Sequence, residues 1–315
     1  MNELTILFTG KTEDDAKPAS FNTAVGILNA GVSGNSSVAD KDVMDAIENY
    51  RKTDIGIDAI LTPGFESVDV VNKLANVAHD SSFIGIASIS GNSASAITSV
   101  ATNYIANESL ALYADKVYLY EDPSIEVPAC IAVLPAYITK DRSSKWLAPA
   151  GVTRGTLSLV SGLVHAFSDA DLEDLYTNGI PVNGIKKITG RGFIVWGQKT
   201  TSQDNTQYQD RINVTRLIKH LEKEIYAISY DYLFEPITDY TYNSWTLRVE
   251  ALLEEIKTGR GLSEYKVIMD DTLNTEETKK ANKLIGLVRF KPLEAAEFIE
   301  INFVVTDSVE EGGNA

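Results

Sequence analysis

Residues 57–89, IDAILTPGFESVDVVNKLANVAHDSSFIGIASI, carry a strand, a helix and a second strand in one short span. The apolar run 57–61 stops at Thr62, Pro63 and Gly64, the punctuation of a strand that ends in a turn. Val68, Val71, Leu74, Ala75 and Val77 then recur at roughly helical spacing behind Ser67, whose hydroxyl can cap the free amides of a first turn. Residues 83–89 return to β-rich apolar texture. A strand, a helix and a strand in that order require a crossover between parallel strands.

The alternation continues on both sides. Residues 4–8 read as a strand, and 43–50 carry a helical pattern behind the candidate cap Asp40. A helix is expected at 94–105, after Gly91, and strands at 116–120 and 131–134. The expected class is α/β, a doubly wound, mostly parallel sheet domain over residues 1–200. From 139 to 200 the chain breaks into short, Gly-punctuated pieces. There, residues 185–188 and 193–196 flank Gly190-Arg191-Gly192 as two strands around a tight turn. Residues 198–207 are polar throughout, so a domain boundary is placed there.

The last third changes character. Ile212, Leu217, Ile218, Leu221, Ile225 and Ile228 form a long helical stripe, and a second helix covers 244–257 before Gly259. A strand at 267–269, a capping-box pair Asn274 and Glu277, and β-rich runs at 284–290 and 298–305 follow. These make a smaller α+β domain over 205–306, with a loose polar tail at 307–315.

The 315 residues are 44% hydrophobic and 23% charged, enough apolar side chain to offset the entropy of ordering the chain. Lys and Arg total 28 against 44 Asp and Glu, a net charge of -16. Such a surface repels phosphate backbones and anionic lipid, so nucleic acid and membrane insertion are not expected as partners. Cys130 stands alone and cannot form an internal disulfide. Residues 1–5 lack the order of a signal peptide, and Pro128 and Pro135 break the longest apolar run. A reducing, aqueous compartment is the expectation.

Catalytic devices are not found. The chain has neither a lysine-bearing phosphate loop nor G-x-G-x-x-G behind a strand; Gly31-Val32-Ser33-Gly34-Asn35-Ser36 lacks the lysine. Its three histidines, His79, His165 and His220, lack the spacing of a metal motif, and one cysteine cannot build a zinc cluster. Ser90-Gly91-Asn92-Ser93 reads as a strand-to-helix turn with Ser93 as cap rather than a nucleophile elbow. Asp270-Asp271 lacks the glycine spacing of a calcium loop. No catalytic, cofactor or metal residue is therefore nominated. Trp146, Trp196 and Trp245 read as core or domain-joint residues.

Other segments are too particular for generic packing. Trp146-Leu147-Ala148-Pro149-Ala150-Gly151-Val152-Thr153-Arg154-Gly155 combines an aromatic, a Pro-Ala-Gly turn and an arginine. Gly190-Arg191-Gly192 leads into Trp196, Gly197 and, at the usual place of an arginine, Lys199. Asn213 and Arg216 open the long helix, Phe234-Glu235-Pro236 follows it, and Glu297-Phe298 stands near the end. Taken in order, these resemble the contractile tail sheath proteins of bacteriophages and related tailocins. Weaker similarity reaches back to about residue 55.

The resemblance implies a subtilisin-like α/β domain, named for fold and not activity, and a conserved C-terminal sheath domain. It implies a structural subunit that is not an enzyme. Such subunits polymerise as rings around a tail tube and contract by rearranging, with the tube, baseplate and tail terminator proteins as partners. The place of action would be a virion tail assembled in the host cytoplasm, or the sheath of a related injection system. Family members commonly carry a substantial segment ahead of the first strand–helix units, so the chain reads either as a short sheath or, the favoured reading, as a trimmed one whose residues 1–50 could be the remnant of that region. Two surfaces are nominated on that basis. Arg211, Arg216, Lys219, Lys223, Lys257 and Arg260 could face the tube, or be an ordinary solvated helix face. Phe298, Ile299, Ile301, Phe303 and Val305 could form a strand added to a neighbour, or an edge strand of their own domain. The competing class is a small-molecule enzyme with a pocket at the strand ends near 57–61 and 83–89.

Overall fold

The structure, a computed structural model, describes residues 38–51, 56–141, 144–204 and 208–297. The expected strands at 4–8 and 298–305 lie outside them. Helix α1 (Asp40–Arg51) precedes β1 (Ala59–Leu61), α2 (Val68–His79), β2 (Ile84–Ile89), α3 (Ala94–Ala101) and β3 (Leu110–Ala114). The three strands are parallel neighbours in the order β1-β2-β3. Ser67 and Ser93 cap the helices as their positions predict, accepting from the amides of Val70 and Ala96. All residues of β2 and β3 are buried, because helices cover both faces of the sheet. Leu74 and Ile97 pack with Ala87, Ile89 and Leu112 on one face. On the other, Ile84, Ile86 and Tyr113 meet Cys130, Val133 and Tyr137.

Beyond β3 the expectation of a mostly parallel, doubly wound sheet needs correction. Strands β4 (Lys116–Leu119) and β5 (Glu126–Pro128) are followed by α4 (Ala129–Ala132), α5 (Leu134–Asp141) and β6 (Val160–Leu163). They form an antiparallel sheet ordered β5-β4-β6. Residues 120–125 are too short a link for the crossover that a parallel pair needs. The parallel strands keep sequence order, without the reversal of a doubly wound sheet. The run 131–134, expected as a strand, instead joins α4 to α5. Pro128 caps the first and Pro135 sits in the opening turn of the second, where a missing amide hydrogen does no harm. Strand β3 itself escapes sequence reading, since Leu-Ala-Leu-Tyr-Ala suits a helix as well as a strand.

Helix α6 (Asp169–Thr177) opens with a capping box between Ser168 and Asp171. Strands β7 (Gly184–Ile188) and β8 (Gly192–Trp196) form the expected hairpin, and Gly190 and Gly192 take the positive φ of 77° and 84° that the turn requires. Residues 198–201 are polar yet not loose. Gln198, Thr200 and Thr201 are buried, and the Thr201 amide donates to Leu110 O at 2.9 Å.

After a single 3-10 turn (Tyr208–Asp210) come α7 (Ile212–Tyr230), α8 (Asp239–Thr258), β9 (Leu262–Ile268), α9 (Glu276–Lys280) and β10 (Leu287–Pro292). Strands β9 and β10 pair antiparallel. Leu217, Leu221, Trp245, Val249, Leu253 and Leu262 form the core of this unit. Helix α8 starts earlier than expected because the Thr238 hydroxyl caps it. The expected cap Asn274 is instead buried, donating to Asp270 O and Ile285 O and accepting from the Ile285 amide, and Thr275 caps α9.

Candidate functional site

Four of the segments singled out by their motifs, around 146–155, 195–199, 211–213 and 295–297, meet in one place. Loop 148–155 lies against β8, with the Gly151 amide donating to Val195 O (3.0 Å) and the Val195 amide to Gly155 O (2.8 Å). Arg154 Nε closes the loop on Ala148 O at 2.9 Å. Gly197 follows β8 at φ 142°, and a Cβ there would lie 2.7 Å from Asn183 Oδ1. The fully buried Asn183 ties three strands of chain together: its amide nitrogen donates to Leu112 O and Lys199 O, and its oxygen accepts from the Lys199 amide. No motif marks Asn183 in the sequence; its role comes from burial alone.

Residues 295–297 return from the end of β10 to this loop. Glu297 Oε1 accepts from Gln198 Nε2 (3.1 Å) and pairs with Arg211 Nε (2.6 Å), while Arg211 also pairs with Asp210. Burial opposes the Arg211 charge, yet Glu297, Tyr176 and Asp210 outweigh it and hold its proton more tightly than usual. Burial pushes the Asp210 carboxyl up. Burial and then the Arg211 charge lower Lys199, whose Nζ donates to Tyr176 O. Burial, reinforced by Glu297, pushes the Tyr176 hydroxyl well up. Between loop 148–154, the end of β8 and residues 295–297 lies a cleft of about 540 Å³. On its wall Lys186 pairs with Asp169 at 2.7 Å. The bonds among Gln198, Arg211 and Glu297 make this region a joint between segments distant in sequence.

Trp146 is the second half of the joint. Its indole Nε1 donates to Gly259 O (2.8 Å), its ring stacks on His220 at 6.1 Å, and its carbonyl accepts from Asn213. Trp146 and Trp245 are buried as expected; Trp196 is 40% exposed, with Lys186 Nζ 4.7 Å from its ring centre. Glu235 and Pro236 form the turn between α7 and α8, and Pro236 O accepts from the Thr241 hydroxyl.

The six nominated cations divide sharply. Arg216, Lys219 and Lys223 fall at helical spacing on one stripe of α7 and face the α/β unit. Arg216 is 6% exposed, its guanidinium 5.0 Å over the Tyr137 ring, because the gap beside the Tyr113–Tyr137 hydroxyl pair admits a flat cation. A surface role does not fit that burial. Lys219 Nζ donates to His79 O (2.9 Å) and Ser81 O (2.7 Å), satisfying carbonyls at the end of α2. Lys223 approaches Asp58 at 3.8 Å, beside the closer Lys145 at 2.8 Å. Lys257 and Arg260 are exposed. The candidate strand residues Phe298, Ile299, Ile301, Phe303 and Val305 lie outside the described residues.

Residues 204–306 match the family model of the phage tail sheath C-terminal domain. The chain is a relative of the contractile tail sheath proteins. It is 28% identical to the tail sheath protein of Vibrio phage KVP40 over 286 residues, 89% of this chain and 42% of that protein. It is 33% identical to the tail sheath protein of Enterobacteria phage T4 over 190 residues, 59% of this chain and 28% of that protein. This sheath relative therefore spans less than half the length of those curated proteins. In fold it is similar to the sheath of an extracellular contractile injection system, PVC, in the contracted state, with TM-score 0.74 and 19% identity over 85% of this chain and 75% of that one. The helical sheath of the anti-feeding prophage in the contracted state gives TM-score 0.68 and 20% identity over 84% and 74%. The mixed α/β fold of this relative is thus a sheath fold.

Proposed function

We propose that the chain is a structural subunit of a contractile phage tail sheath, polymerising as rings around a tail tube and driving the tube through a host envelope by subunit rearrangement. One observation carries this reading. Four of the segments that resemble the sheath pattern, far apart in sequence, converge on a single joint between two units. Shared spacing alone could be coincidence; shared spacing that also closes one structural joint supports a common architecture. The parallel sheet with helices on both faces supports reading residues 1–200 as the subtilisin-like sheath unit and 205–306 as the C-terminal unit.

The work of contraction would reside in the difference between two packings of the same subunits, an extended metastable array and a better-packed contracted one. Lys257 and Arg260, exposed near the end of α8, remain the cations available to an axial tube. A charged contact of that kind holds weakly enough to slide. Glu297, anchored by Arg211 and Gln198, fixes the point from which a donated strand at 298–305 would depart. Baseplate and terminator proteins would bound the array at its ends. Sheaths of injection systems share the fold, so fold does not separate the two settings. The curated relatives named above come from phages, which favours a virion tail.

Negative-stain electron microscopy of the purified chain at rising concentration tests the reading. Hollow tubes or stacked rings are expected, with or without added tube protein. A monomer under every condition would remove the self-assembling subunit as the function of this chain.

A further inference from the structure

The link between α7 and α8 holds large side chains out in water. Phe234 is fully exposed and its backbone sits at φ 68°, a left-handed conformation that a bulky residue rarely adopts. Tyr240, 81% exposed, stands beside it in sequence across the turn. Glu235 and Asp239 lie in the same turn, and among the described residues neither has an ion pair. A strained, unburied aromatic followed by two unpaired carboxylates gains nothing from its own chain, and its use is sought outside it.

A surface of opposite character lies on the other unit. Residues 185–197, the β7–β8 hairpin, contain Lys186, Lys187 and Arg191 and no acidic residue. Lys187 and Arg191 are exposed towards the turn of the hairpin, without an ion pair among the described residues, while Trp196 lies at its other end, opposite Gly184. On a chain of net charge -16 such a basic prong is an exception. Copies of so acidic a protein repel one another on average, and an attractive contact between them has to use a local reversal of sign.

We propose that copies of this chain associate head to tail, with the acidic, aromatic α7–α8 turn of one docked on the basic β7–β8 hairpin of the next. The inference rests on the self-assembling reading above and adds the surfaces that do it. The rings of Phe234 and Tyr240 against the Lys187 and Arg191 side chains supply cation–aromatic contact, and Glu235 against Arg191 sets the register. The two surfaces are different and lie on different units, so each docked copy still offers one free surface of each kind. Such heterologous contacts close into rings or continue as helices; they do not stop at a dimer.

Sedimentation of the full chain across a concentration range, for the parent protein and charge-reversed variants, tests this. Glu235→Lys and Arg191→Glu are each expected to raise the midpoint of association about tenfold, and the two together to restore it to within about threefold. Both residues are exposed, so thermal melts should be unchanged; Lys187→Glu serves in place of Arg191→Glu, and Glu235→Arg in place of Glu235→Lys, should either fail to fold. If the parent protein associates and the reversals leave its midpoint unmoved, the docking surfaces are wrong while self-assembly stands. If the parent protein stays monomeric throughout, both fall together.

Discussion

The indole nitrogen of Trp146 lies 2.8 Å from the carbonyl oxygen of Gly259, 113 residues further along the chain. That bond closes the joint between the α/β unit and the α7–α8 hairpin. Its surroundings leave no room for substitution: a Cβ on Gly261 would stand 2.5 Å from Ile256 and 2.8 Å from the Trp146 ring. Gly261→Ala should cost about 1–3 kcal/mol through overpacking. Trp146→Ala should cost about 3–5 kcal/mol through the cavity it leaves. Denaturant unfolding measures both, and unchanged midpoints would mean that the joint carries no stability.

Lys219 reaches from α7 to two carbonyls at the end of α2. Burial lowers its proton affinity, yet the ammonium supplies donors that no other group there replaces. Lys219→Met keeps the stem and removes the donors, and should destabilise by about 1 kcal/mol. Hydrogen exchange should quicken at the end of α2 and in the facing turn of α7, and stay unchanged in β9 and β10.

His220, stacked on Trp146, has its proton affinity lowered by burial first and by Lys145 second, with Glu224 and Asp58 opposing and Lys223 adding to the effect. The unfolded chain therefore binds a proton at higher pH than the folded one. The stability this contributes is present above about pH 6.5 and declines as pH falls below it towards the folded value. Melting temperature followed from pH 7.5 to 5.5 should drop more in the parent protein than in His220→Gln. Parallel curves would remove His220 from the pH response.

Phe234 separates folding from association. Glycine relieves the left-handed strain at φ 68°, so Phe234→Gly should leave stability unchanged or raise it by about 1 kcal/mol. The same change should weaken self-association, because the aromatic anchor is gone. A variant that melts lower and associates as before would contradict both halves.

Cys130 is fully buried, its backbone amide donates to Ser88 Oγ, and burial pushes its thiol up. It should react with a thiol reagent only as fast as the α/β unit opens, and at once in denaturant. Rapid labelling of native protein would place Cys130 elsewhere.

Much of the architecture was legible because it is local. Ser67 and Ser93 stand where the next helix begins, and the glycines at 190 and 192 sit where a tight turn needs them. The failures share a cause, which is tertiary context overriding a short apolar run. Residues 131–134 became the seam of two helices between two prolines, and Leu110–Ala114 became a strand because β2 lay alongside it. The cations of α7 show the same limit. A charged stripe is normally solvated, but Arg216 found an aromatic pair and Lys219 a set of carbonyls. No sequence spacing reports a partner presented by a different unit. The motif segments were recognisable as unusual, while their meeting point at Glu297, Gln198 and Arg211 was visible only in three dimensions.

The stripe of α7 also decides how the two units can move. An oily contact can slip by fractions of an ångström, since one methyl group is much like the next. Arg216 over an aromatic ring and Lys219 between two carbonyl oxygens permit no such creep, because a small displacement leaves a cation facing nothing. The contact between the units is therefore notched rather than smooth, and any other arrangement of them would have to supply its own seats for both charges.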